Sequence, residues 1–153
     1  MKDVVAQDLV GMSMSELDDL FGRSPAGPIP VGHVDGTVLY HPGSGLGEIA
    51  AKVAHTLFWK GKSFDPKTEQ LHNLVLPTGI PAVVADVYRG SSWFDGKDCI
   101  VLDYSKTSLV AERIRDEIRL VAPGLYLGLV FWGRKRILDF ALSNPEPAVP
   151  ASA

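Results

Sequence analysis

The segment that decides the fold runs from Ile80 to Leu142: IPAVVADVYRGSSWFDGKDCIVLDYSKTSLVAERIRDEIRLVAPGLYLGLVFWGRKRILDFAL. Four stretches in it are rich in β-branched and aromatic residues and are bounded by turn signals: Ala82–Arg89, Asp98–Ser105, Leu125–Trp132 and Arg136–Leu142. Asp95-Gly96 and Gly133-Arg134 read as two-residue hairpin turns between the members of each pair. Between the pairs, Ser108–Val121 is amphipathic at helical spacing, with Val110, Ile114, Ile118 and Val121 on one stripe. Thr107 or Ser108 is its expected N-cap. Arg113 and Glu117, four residues apart, are an expected pair on its polar side. Three strands carry one aspartate each, Asp86, Asp103 and Asp139. A charge among Val, Ile and Leu costs several kcal/mol unless it is wet or paired, so these residues mark either solvent or a site.

Working outward, Ser13-Met-Ser-Glu16 has the form of a capping box, and a short helix, Ser15–Phe21, is expected after it with Gly22 as its stop. Ser24–Pro30 (SPAGPIP) must be an extended loop. Gly32–His41 reads as a strand, Glu48–Trp59 as a helix, and the stretches ending at Phe64 and Leu76 as short strands. The expected organisation is one domain over residues 1–144, with an N-terminal helix and a disordered Pro/Ala-rich tail at 145–153. About seven strands joined mostly by hairpins make an antiparallel meander, mainly β within the α+β class, with two or three helices. Closure into a small barrel would remove its exposed edges.

The chain has 153 residues, 46% hydrophobic and 22% charged, enough for one core. A net charge of −3 gives no electrostatic case for nucleic acid or an anionic membrane as partner. No window approaches the roughly 18 apolar residues that span a bilayer. The N-terminus, with Asp3 and Asp8, makes a poor signal peptide, and a single cysteine, Cys99, cannot form an internal disulfide. A cytoplasmic location is the expectation, with Cys99 an inert core thiol.

If the Asp95-Gly96 turn sets the register, Tyr88 pairs with Asp103 and Asp86 with Ser105, so Asp86, Tyr88 and Asp103 share one face. Two adjacent carboxylates push one pKa up, which would supply an acid and a base. The alternative is a solvated hairpin face, or ion pairs to arginines of the following helix. If Gly133-Arg134 sets the second register, Leu125, Leu127, Leu129, Phe131, Leu138, Phe140 and Leu142 form a core face, and Asp139 lies opposite Gly128 with room for a ligand. Four histidines, His33, His41, His55 and His72, lack the spacing of a metal site, and no cofactor is implied.

Trp59-Lys-Gly-Lys-Ser-Phe-Asp65 after a helix, a Val83–Arg89 strand running into Tyr-Arg-Gly, and Leu127-Gly-Leu129 on a later strand resemble the uncharacterised bacterial GXWXG-type proteins and a lipocalin-type small barrel. The nearest place to their signature here is Gly32-His-Val-Asp-Gly36, without the tryptophan. That resemblance implies a ligand-holding barrel and no particular reaction. The expected function is therefore binding of a small hydrophobic or amphipathic molecule in a cavity lined by Trp59, Trp93, Tyr104, Tyr126, Trp132 and Phe140, with Arg113 or Arg115 near its mouth. The alternative is a cofactor-free cyclase, isomerase or hydrolase with Asp86, Tyr88 and Asp103 as its acid–base group. A third reading is an interaction module, such as a homodimer through a strand edge.

Overall fold

Ser13 starts the second of two short helices as its sequence requires. Its hydroxyl accepts from the Glu16 N–H at 3.1 Å, and the Glu16 carboxylate accepts from the Ser13 N–H at 3.2 Å. The computed structural model describes residues 4–39, 62–65, 70–74, 81–105 and 113–144. Helix α1 is Ala6–Val10 and α2 is Met14–Arg23, which runs through Gly22 and ends at Ser24. The strands are β1 Gly32–Leu39, β2 Lys62–Asp65, β3 Gln70–Leu74, β4 Pro81–Ser91, β5 Asp98–Asp103, β6 Ile114–Ala122, β7 Leu125–Trp132 and β8 Lys135–Ser143. The expected helix Glu48–Trp59, the N-cap at Thr107 or Ser108, the two residues past Leu39, His41, His55 and the tail from 145 lie outside the described residues.

The fold is mainly β, an antiparallel meander with two short helices. Each strand pairs with the next in sequence, and β1 pairs with β8 from Asp35 against Ser143 to Leu39 against Asp139. Among the described residues no helix is long and apolar enough to cross a membrane.

Two faces of the sheet bury different residues. The inner face gathers Val34, Phe64, Ala85, Val87, Ile100, Leu102, Tyr104, Ile114, Ile118, Tyr126, Val130, Phe140 and Leu142. On the outer face, Leu17, Leu20 and Phe21 of α2 and Leu9 of α1 pack with Leu39, Leu125, Leu127, Leu129, Phe131 and Ala141. Strand β7 is thus covered on both sides, which is why LYLGLVF is apolar without alternation. The loop Ser24–Pro30 is tied down: the Leu120 N–H donates to Pro25 O at 3.0 Å, the Tyr126 hydroxyl to Pro28 O at 2.6 Å and Arg89 to Gly27 O at 2.6 Å.

The structure corrects three expectations. The stretch Ile114–Val121 is strand and not helix, so Arg113 and Glu117 are not helical neighbours; Glu117 pairs with Arg115 at 3.1 Å instead. The helical stripe was shared by a period-two pattern, Ile114, Asp116, Ile118 and Leu120 against Arg115, Glu117 and Arg119, and ladders to β5 and β7 selected the strand.

In the β4–β5 hairpin the ladder ends at Ser91 opposite Asp98, so Asp86 faces Asp103 and Tyr88 faces Val101. The connection is a wider loop closed by Ser92 N–H to Lys97 O at 2.9 Å, with Gly96 at φ +77. The slip is two residues, so the faces are kept while the partners change.

In β7–β8, Trp132 pairs with Lys135 as expected, but the register shifts between Val130 and Phe131. Beyond it Gly128 faces Phe140 and Leu129 faces Asp139. Ile137 and Leu138 both reach the inner face there, and Phe140 and Leu142 join it rather than the leucines of β7. The space opposite Gly128 is filled by the Phe140 ring, which a Cβ at Gly128 would overlap.

Candidate functional site

Strand β6 delivers the most unusual side chain of the inner face. Ile114 and Ile118 point inward, and Asp116 between them shares that direction by the two-residue repeat of a strand. Asp116 is 0% exposed. The hydroxyl of Tyr104, also 0% exposed and carried just beyond β5, donates to Asp116 Oδ2 at 3.5 Å. Among the described residues, Ile114, Ile118, Val130, Leu102 and Phe140 belong to the same inner cluster as Tyr104. A carboxyl and a phenol held together in such surroundings form a directional polar anchor, because electrostatic interactions strengthen where water is excluded. Tyr126 adds a second inward phenol, whose pKa burial pushes up to about 12, so it stays a neutral donor. That donor is engaged by Pro28 O.

The outer face of the same strands carries the other charges. The Arg115 guanidinium donates to the Glu117 carboxylate and, at 2.8 Å, to Ser91 O, and sits 4.3 Å over the Trp93 ring. Glu117, fully buried, also accepts from the Ser92 hydroxyl at 2.5 Å and the Trp93 N–H at 2.8 Å. Arg119 donates to both oxygens of Asp95 and to backbone carbonyls at Phe21, Lys97 and Asp98. These pairs fasten the β4–β5 loop to β6 and α2. Arg136 similarly joins Asp139 of β8 to Asp18 of α2.

The expected acid–base group divides between contact and exposure. Asp86, Tyr88 and Asp103 lie on the outer face, and the Tyr88 hydroxyl donates to Asp103 Oδ2 at 3.0 Å. Tyr88 is 40% exposed, so the group is open to solvent. Partial burial, then the hydrogen bond to Asp103, raises the Tyr88 pKa. Burial works to raise Asp103 as well, but hydrogen bonds from Ser105 and Tyr88 and the charge of Arg115 outweigh it and hold that carboxyl below its ordinary value. Asp103 is therefore an ionised acceptor, not the raised acid of a shared-proton pair.

Of the expected ligand-contacting aromatics, Tyr104, Tyr126 and Phe140 lie in the inner cluster and Trp132 packs against it. Trp93 does not: it stands on the outer face, edge-on to Phe131 at 5.6 Å and flanked by Arg115 and Arg134. Trp59 lies outside the described residues. Arg113 and Arg115 border an outer cleft of about 300 Å³ together with Trp93, Asp103, Ser105, Ile114 and Gly133. Among the described residues no group of three or more His, Cys, Asp or Glu is placed to hold a metal ion.

Asp116 is not a candidate on the helical reading of Ser108–Val121, which places it among the polar residues of that helix. The signal for it is the alternation over 114–120, where it is one acid in a row of Ile, Ile and Leu.

No family model matches the chain, and no curated protein matches it. A crystal structure of a protein from Thermomonospora curvata is similar to it, with a TM-score of 0.61 and 16% identity over 88% of this chain and 89% of that chain. At that identity the likeness shows the fold alone.

Proposed function

We propose that the circuit of antiparallel ladders is a lipocalin-like barrel and that its inner face binds a small hydrophobic or amphipathic molecule, whose polar end meets Asp116 and Tyr104. The observation that carries this reading is a carboxyl with 0% exposure, touched by the Tyr104 hydroxyl, on the face that bears the cluster of Ile114, Ile118, Val130 and Phe140. Ligand sites combine mostly apolar walls with a few convergent polar groups that fix orientation. The Asp116 carboxyl oxygens accept hydrogen bonds, which suits a ligand whose polar end is a donor such as an amine, amide or hydroxyl.

N-phenyl-1-naphthylamine, apolar apart from one N–H, tests this. Its fluorescence is expected to rise saturably with wild-type protein, and the near-isosteric Asp116→Asn variant should bind it several-fold more weakly. No saturable rise, or equal affinity in a folded Asp116→Asn variant, would reject the reading.

A further inference from the structure

We propose that the outer cleft bordered by Trp93, Asp103, Ser105, Arg113, Ile114, Arg115 and Gly133 is a second binding site, which takes a small carboxylate with a flat apolar body. It is on the opposite face of β6 from Asp116, so it does not depend on the interior reading.

The charges at the cleft settle which sign it accepts. Asp103 is already served: it accepts from the Tyr88 hydroxyl at 3.0 Å and the Ser105 N–H at 2.9 Å, and Arg115 lies near enough to act on its charge. Arg115 in turn is committed to Glu117 and Ser91 O. Arg113 differs. Its backbone carbonyl accepts from the Gly133 N–H at 2.9 Å, which fixes its place beside the β7–β8 turn. Its guanidinium is paired with no carboxylate of a described residue. Arg134, 4.4 Å over the Trp93 ring, adds a second positive charge at the rim.

An anion entering the cleft thus meets a donor fork matched to a carboxylate. Trp93 contributes apolar lining. The volume of about 300 Å³ is at the lower end of small-molecule sites and suits a compact aromatic acid. The ionised Asp103 opposes a dianion, which favours a single negative charge.

The probes are 1-naphthoate, neutral 1-naphthamide and inorganic phosphate, titrated into 15N-labelled wild-type protein, with the Trp93 indole resonance assigned through Trp93→Phe. Naphthoate is expected to shift the Trp93 indole saturably and to bind more tightly than naphthamide or phosphate. Arg113→Gln, an exposed change that leaves the fold intact, should weaken naphthoate about tenfold, the effect of losing one charge-assisted pair. It should leave N-phenyl-1-naphthylamine binding unchanged, which separates failure of this site from failure of the interior one. No saturable Trp93 shift, equal binding of naphthamide or phosphate, or unaltered naphthoate affinity in Arg113→Gln would overturn the proposal.

Discussion

Arg119 clasps both carboxylate oxygens of Asp95 at 2.7 Å, and it does so while fully buried between β6 and the end of α2. The same guanidinium donates to Phe21 O at 2.9 Å and lies 4.3 Å over the Phe21 ring, so one side chain joins helix, loop and sheet. Replacing it strands a carboxylate and three carbonyls. Arg119→Met is expected to destabilise the protein by about 1–3 kcal/mol, the cost of leaving buried hydrogen-bond partners unsatisfied. Urea unfolding followed by far-UV circular dichroism measures this.

The Asp95 pair also sets an acid limb. The Arg119 hydrogen bonds, opposed by burial and helped by the Lys97 N–H, hold the Asp95 carboxyl below its ordinary value. The unfolded chain therefore binds this proton first, at a pH of about 3.9. The stabilisation is complete above that pH and is lost as pH falls through the lower folded value. In Asp95→Asn the melting temperature should start lower at neutral pH and fall less steeply below a pH of about 4. A series of thermal melts against pH checks the slope.

Gly128 is required by Phe140. A Cβ at Gly128 would run into three atoms of the Phe140 ring, which is itself fully buried. Gly128→Ala should cost about 1–3 kcal/mol by overpacking. Adding Phe140→Leu should recover part of that loss, giving a non-additive double-mutant cycle in denaturant unfolding.

Cys99 is buried on β5, and burial followed by the charge of Glu117 pushes its thiol up to about 12. Only the thiolate reacts. A chromogenic disulfide reagent at neutral pH should therefore leave the native protein unmodified and label Cys99 promptly in denaturant. Fast labelling of the native state would contradict its placement.

The antiparallel meander was legible because four strands announce themselves by residue type and the turns by Asp95-Gly96 and Gly133-Arg134. What the sequence concealed has local causes. Ile114–Val121 satisfies both a helical and a strand period, and only the β5 and β7 ladders decide between them. The register of β8 depends on an irregularity at Val130 and Phe131 that no turn residue advertises. The β4–β5 loop is wider than its Asp-Gly pair suggests because Glu117 and Arg119, distant in sequence, hold Ser92, Trp93 and Asp95 in place. For the site, Tyr104, Tyr126 and Phe140 fall together in the inner cluster, although the expected turn register puts Phe140 with the leucines of β7 on the other face. Trp93 does not fall there, and a loop residue has no alternation to place it. Asp116 does not stand out on a helical reading of its strand.

Ligand binding at the inner face around Asp116 and Tyr104 is visible in the chemical-shift changes caused by saturating N-phenyl-1-naphthylamine in 13C,15N-labelled protein. Changes centred on Tyr104, Asp116, Ile118 and Val130 are expected. Changes confined to the outer face at Tyr88, Trp93 and Phe94, or no saturable change, would contradict binding at the inner face.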